Sequence, residues 1–127
     1  MSFLPEDDRL YLAEKGLVYE ETDAGGQRGV VFPRYPVPNG RFDATLVKLL
    51  ILIPPGYPDV PPDMFYTDPW LKLVPHNSYP RAANVAVGFA GISWQRWSRH
   101  NPEWRPGVDG IWTMLKRVEY ALEVAAA

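Results

Sequence analysis

The stretch LIPPGYPDVPPDMF at residues 52–65 joins the end of an apolar run to five prolines between positions 54 and 62. Proline fixes φ and has no N–H donor, so these residues cannot be recruited into a sheet. The preceding residues 44–53 are apolar at every odd position from Val47 to Ile53, which predicts a central strand. Residues 64–66 predict the next strand. The prolines therefore form a rigid connection between two neighbouring strands.

Upstream of this connection, residues 5–15 predict a helix. Pro5 suits a first turn, the acidic residues Glu6, Asp7 and Asp8 lie where the helix dipole favours negative charge, and Gly16 suits the position after the end. Residues 17–22 and 29–32 then predict a hairpin around the turn-like residues 23–28.

A second turn is indicated at Asn39-Gly40, a dipeptide typical of tight hairpins. The prolines at positions 33, 36 and 38 predict an edge or irregular strand before it.

Downstream, apolar residues spaced by four, three and four positions predict a helix over residues 108–125 that packs on the sheet. These residues are Ile111, Leu115, Val118 and Leu122. About forty residues without a clear period precede this helix, and their tryptophans predict an ordered loop. The predicted fold is α+β: an N-terminal helix, a four-stranded antiparallel meander, a long ordered loop and a C-terminal helix, in a single domain over residues 1–127.

Composition excludes several classes of protein. The net charge of −2 gives no basic surplus for nucleic acid, and the longest apolar run is too short to span a membrane. The first residues show no secretory leader, which predicts a cytoplasmic protein. With no cysteine and two histidines, we expect no disulfide, no metal and no cofactor.

Two motifs resemble the ubiquitin-conjugating-enzyme (UBC-like) superfamily. Residues 52–65 are similar to its Tyr-Pro-x-x-Pro-Pro turn, and Trp104-Arg105-Pro106 is similar to the Trp-x-Pro that opens the helix after its active-site loop. The chain most resembles the bacterial ubiquitin-conjugating-like family E, whose members are encoded beside multi-ubiquitin proteins and activating enzymes. The resemblance implies a UBC-like fold and a cis Tyr57–Pro58 peptide bond.

The sequence departs from the superfamily where the chemistry is expected. Ser93, in Gly91-Ile92-Ser93-Trp94, is the nearest counterpart of the catalytic cysteine. A serine hydroxyl needs a strong adjacent base to become a nucleophile, so Ser93 would form at best an oxyester. An ordinary loop serine is the favoured interpretation. A catalytic serine and a serine that replaces a natural cysteine stay open.

His100 corresponds to the histidine that members of family E carry after the catalytic position. It could accept a proton from an incoming amine, or simply hydrogen-bond a loop carbonyl. Both interpretations stay open.

Two functions follow from the resemblance. The first is a component of a bacterial ubiquitin-like conjugation system, a transferase if a cysteine was replaced at or near Ser93. The second is a non-catalytic binding module, like the ubiquitin-enzyme variants and RWD domains. Either implies a ubiquitin-like or multi-ubiquitin protein and an activating enzyme as partners, with no nucleic acid and no membrane.

Overall fold

The computed structural model describes residues 2–100 and 103–127. They form one antiparallel sheet, preceded in the chain by one helix and followed by another. The elements are α1 (Glu6–Glu14), β1 (Glu20–Ala24), β2 (Gln27–Pro36), β3 (Leu46–Ile53), β4 (Phe65–Asp68), β5 (Val85–Phe89), β6 (Ile92–Trp97) and α2 (Ile111–Val124). The strands lie in the order β1-β2-β3-β4-β6-β5. This arrangement confirms the α+β class and is compatible with a UBC-like fold. None of the described helices is both long and apolar enough to cross a membrane.

The predicted four-stranded meander is wrong, because the sheet has six strands. The two additional strands, β5 and β6, lie within the region predicted to be a long loop. They form a hairpin around Ala90 and Gly91, whose φ angles of 51° and 80° are both positive. Two positive φ angles match the right-handed twist of a two-residue hairpin. An alanine at the first of these positions gives little turn signal in the sequence.

The proline-rich connection joins β3 to β4 as predicted. It carries its own turn hydrogen bonds: the N–H of Tyr57 donates to the carbonyl of Pro54 at 3.2 Å, and the N–H of Val60 donates to that of Gly56 at 3.1 Å. The Tyr57–Pro58 peptide bond is cis, which confirms that prediction. β3 lies between β2 and β4 and is therefore a central strand, also as predicted.

The connection between β2 and β3 differs from the predicted tight hairpin. Gly40 has a positive φ of 76° but Asn39 does not, and the connection extends over residues 37–45. Its order comes from contacts outside the turn, because Phe42 forms a β-bridge with Leu73. β2 itself is irregular as its prolines predict: its pairing with β3 shifts between Phe32 and Tyr35.

The main core lies between one face of the sheet and the two helices. The odd residues of β3 face it, and the four apolar residues of the predicted C-terminal stripe are buried in the same cluster. The stripe is therefore confirmed. A second cluster lies on the opposite face and contains Leu50, Tyr66, Phe89 and Trp94. Leu50 lies in this second cluster, whereas its neighbours Leu49 and Ile51 lie in the main core. The reason is that successive side chains of a strand point to opposite faces.

The sheet curves so strongly that β5 meets β2, although three strands lie between them. A Cβ built on Gly29 would lie 2.7 Å from Leu50 Cδ1 and 2.9 Å from Phe89 Cζ. Both distances are shorter than carbon atoms tolerate, so a larger residue at this position would displace the side chains of Leu50 and Phe89. The tip of the β5–β6 hairpin is thereby packed over the β1–β2 hairpin.

Gln95 holds the connection between β4 and β5 in place. Its buried amide oxygen accepts from the Thr67 hydroxyl at 2.8 Å and the Leu71 N–H at 2.7 Å. Its amide nitrogen donates to the carbonyls of Leu71 at 2.9 Å and Ala83 at 2.8 Å. A fully satisfied buried amide rigidifies its surroundings. This region is ordered, as predicted from its tryptophans. The hydrogen bonds of Gln95 contribute to that order in addition to the tryptophans.

Candidate functional site

Ser93 lies on β6, opposite Gly88 of β5, with an exposed side chain. It lines a shallow hollow of about 420 Å³ where the β5–β6 hairpin meets Ala24 and Gln27 of the first hairpin. Its carbonyl oxygen accepts a hydrogen bond from Trp70 Nε1 at 3.0 Å. No titratable side chain lines this hollow among the described residues. The hollow therefore contains no group that could remove the hydroxyl proton.

His100 lies beyond the other end of β6. Its Nδ1 is 2.9 Å from Oδ1 of Asp63, which follows the proline-rich connection. Both side chains are well exposed, at 66% for His100 and 59% for Asp63. A carboxylate on Nδ1 orients the ring. This partner is a side chain, not the loop carbonyl considered from the sequence.

The structure does not bring Ser93 and His100 together. A strand rises by about 3.3 Å per residue, so Ser93 is roughly 13 Å from Trp97, and His100 lies three residues further along the chain. The two residues also line different hollows. A base must come within about 3 Å of the proton it removes. The two residues therefore do not form a nucleophile–base pair in this arrangement. A catalytic role for either one stays a prediction.

The two family-like motifs meet where Trp104 contacts Pro58, and Asp8 links the first motif to the start of α2. The Oδ1 of Asp8 accepts from the N–H of Ile111, the first residue of α2, at 3.1 Å, and its Oδ2 accepts from the Tyr57 hydroxyl at 2.5 Å. The indole Nε1 of Trp104 donates to the carbonyl of Pro58 at 2.7 Å. We call these five residues the Asp8 junction. It ties α1, the proline-rich connection and the start of α2 to one another.

The electrostatics of the junction are those of a buried carboxyl group. Burial raises the pKa of Asp8, and the hydrogen bonds from Tyr57 and Ile111 only partly offset that effect. Burial and the neighbouring Asp8 likewise raise the pKa of Tyr57. Asp8 therefore does not contribute to the acidic surface of α1, whereas Glu6 and Asp7 are exposed. The sequence missed this role because Asp8 and Ile111 are 103 positions apart.

A charged pair precedes α2. The Arg105 Nη2 donates to Asp109 Oδ1 at 3.0 Å, and its backbone N–H donates to Oδ2 at 2.8 Å. These interactions, with a hydrogen bond from Thr113, lower the pKa of Asp109 to about 2. Thr113 Oγ1 also accepts from the N–H of Gly110 at 3.2 Å. The pairing of Arg105 with an acidic neighbour organises the residues that start the helix.

A cleft of about 770 Å³ lies between α2 and the residues that follow β6. We call it the α2 cleft. Its walls include Arg99 and His100 on one side, and Trp112, Arg117 and Tyr120 of α2 on the other. It is separate from the hollow around Ser93. Within the described residues, no cluster of three histidine, aspartate or glutamate side chains could hold a metal ion.

Comparison with known proteins identifies the family. The model of the prokaryotic E2 family E matches residues 4–125, which is nearly the whole chain. No curated protein and no solved structure matches.

Proposed function

Because this chain belongs to the prokaryotic E2 family E, we propose that it is a component of a bacterial ubiquitin-like conjugation system that binds its partners without forming a thioester. The partners are a ubiquitin-like or multi-ubiquitin protein and its activating enzyme. Membership of the family supports participation in such a system. That the chain acts noncovalently is a further part of our proposal, which the family alone does not imply.

One observation carries that step: the 127 residues contain no cysteine. A thioester needs a thiol, and the serine at the corresponding place in the sequence has no base in its hollow. An unactivated hydroxyl does not attack an activated carboxyl group at a useful rate. Without a nucleophile, we expect the chain to act by binding its partners noncovalently.

The surface that would bind the partners is the sheet or α1. The exposed carboxylates of Glu6 and Asp7 leave an acidic patch on α1, which supports α1 as a contact for a basic partner surface. Asp8 is not part of that patch, because it is buried in the junction. A change at Asp7 therefore tests binding, whereas a change at Asp8 tests folding.

A second candidate is a conjugating enzyme whose natural form has a cysteine in place of Ser93. The exposure of Ser93 favours it, since a thioester-forming side chain must be reachable by two large proteins. His100 lines a different hollow, so in this arrangement it would not reach an amine that attacks at position 93.

Denaturing gels separate the two candidates. The chain is mixed with ATP and with the ubiquitin-like protein and activating enzyme taken from the genes that neighbour its own. We expect no shifted band for the chain with Ser93 in place. A band that resists thiol reductant would make Ser93 an acceptor and refute the proposal. A reductant-sensitive band in Ser93→Cys alone would show a conjugating site that lacks only its thiol, and Ser78→Cys serves as the control.

A further inference from the structure

The α2 cleft is positively charged on a protein whose net charge is negative. Four cationic side chains line it, Arg99, Arg105, Lys116 and Arg117, against the two carboxylates of Glu103 and Asp109. The whole chain carries a net charge of −2. Asp109 is already occupied by Arg105. Positive charge is therefore concentrated at this cleft and largely uncompensated within it.

Arg99 has no carboxylate partner among the ion pairs of the described residues. Its guanidinium lies 5.3 Å from the centre of the Trp97 ring and donates only to the carbonyl of Ser98, at 3.1 Å. Burial and the neighbouring Arg81 lower the pKa of Arg99. An anion placed in the cleft beside Arg99 would offset this repulsion.

Arg117 also lacks a full set of partners. Its Nε is buried and has no hydrogen-bond partner among the described residues, and its Nη2 reaches the carbonyl of Glu103 only at 3.5 Å. Buried donors are nearly always satisfied in folded proteins, so the acceptor of this donor, like those of the buried Nε atoms of Arg41 and Arg96, lies outside the described residues. A guanidinium group offers the paired donors that a carboxylate binds.

The cleft is long and partly apolar. Trp112, Lys116 and Tyr120 recur every fourth residue on α2 and so lie on one side of the helix. Tyr120 and Val124 are 66% and 55% exposed. From Trp112 to Val124 the helix extends about 18 Å, which matches roughly five residues of extended peptide and exceeds the size of a single anion.

We propose that the α2 cleft binds an acidic peptide segment of a partner protein, with carboxylates at Arg99, Lys116 and Arg117 and an apolar side chain against Tyr120. The alternation of cationic and aromatic side chains favours a peptide over a phosphate group. This binding does not depend on whether the partner is a ubiquitin-like protein, so it stands apart from the function proposed above.

Fluorescence anisotropy tests the proposal with a fluorescein-labelled peptide in which pairs of glutamates alternate with leucines. A second peptide has glutamine at every glutamate position. We expect the glutamate peptide to bind about tenfold or more tightly than the glutamine peptide, and its affinity to fall as salt is raised. Equal binding of the two peptides, or no binding of either, would overturn the proposal.

Charge-reversal variants locate the binding site. Lys116→Glu should weaken binding about tenfold, whereas Lys48→Glu, the same change at an exposed position of β3, should leave it within about twofold. Both positions are exposed, so both variants should fold, which circular dichroism checks. Equal losses in the two variants would contradict a local site. Tighter binding of a single-stranded oligothymidylate, with the same sensitivity to Lys116→Glu, would assign the cleft to nucleic acid instead.

Discussion

Replacing Asp8 by alanine tests whether the Asp8 junction holds the two helices and the proline-rich connection together. The substitution removes the acceptor for the N–H of Ile111, which is fully buried, and for the hydroxyl of Tyr57. Losing a side-chain acceptor at a helix start costs about 0.5–2 kcal/mol, and a buried hydroxyl left without its partner costs about 1–3 kcal/mol. Relief of the buried charge offsets part of this loss. We expect the free energy of unfolding to fall by about 2–4 kcal/mol.

Urea titration measures this loss, and Asp7→Ala is the matched control. Asp7 is adjacent in sequence but exposed, so its replacement should change the free energy of unfolding by less than about 0.5 kcal/mol. If Asp8→Ala were as stable as Asp7→Ala, the junction would contribute nothing to stability, and the hydrogen bonds that define it would not exist in solution.

Asp8→Asn separates the hydrogen bonds from the charge. The amide oxygen can still accept from the Ile111 N–H, so we expect a smaller loss than in Asp8→Ala. The pKa of Asp8 is raised in the folded protein, so the folded state binds a proton at a pH where the unfolded carboxyl group, with its pKa near 3.8, is still ionised. As the pH is lowered from 7 to about 4, the wild-type protein should therefore gain stability relative to Asp8→Asn. A difference that stays constant with pH would show that Asp8 is not desolvated.

The remaining stability predictions concern the core and the ordered connection. Leu115→Ala should lower the free energy of unfolding by about 2–5 kcal/mol in urea, because Leu115 is buried in the main core; a loss below about 0.5 kcal/mol would show that α2 packs elsewhere. Gln95→Leu should cost about 2–4 kcal/mol, because it leaves the N–H of Leu71 and the carbonyl of Ala83 unpaired. Faster hydrogen exchange at Leu71 should accompany the loss, and an unchanged exchange rate would contradict the role given to Gln95.

Elements with a local cause could be predicted from the sequence. The apolar run of β3 predicts a central strand, the prolines after Ile53 predict a rigid connection, and the spacing from Ile111 to Leu122 predicts the buried side of α2. Each signal lies within about fifteen consecutive residues. The structure confirms all three, because periodicity reports which face of an element is buried whatever it packs against.

The β5–β6 hairpin could not be predicted in the same way. Gln95 is polar yet completely buried. The buried face of β6 is therefore not uniformly apolar in the sequence. Ala90 occupies a turn position that usually requires glycine, asparagine or aspartate. The hairpin is specified instead by distant partners of Gln95 and by the contact of Phe89 with Gly29.

The candidate site was predictable only in part. The sequence identified Ser93 and His100 as residues of interest, but their separation follows from β6 being a strand, which the sequence did not reveal. Arg105 pairs with Asp109, which lies only four positions away in the chain. The partners of Asp8 come from contacts between residues far apart in the chain.

The central claim is that this chain engages a ubiquitin-like protein without a covalent bond, and mass spectrometry of the intact protein tests it most directly. After incubation with activating enzyme, ATP and the ubiquitin-like protein, one sample is measured under native conditions and one after denaturation. We expect a complex with the ubiquitin-like protein under native conditions and only the unmodified chain after denaturation. A chain that gains the mass of the ubiquitin-like protein less one water after denaturation would contradict the claim.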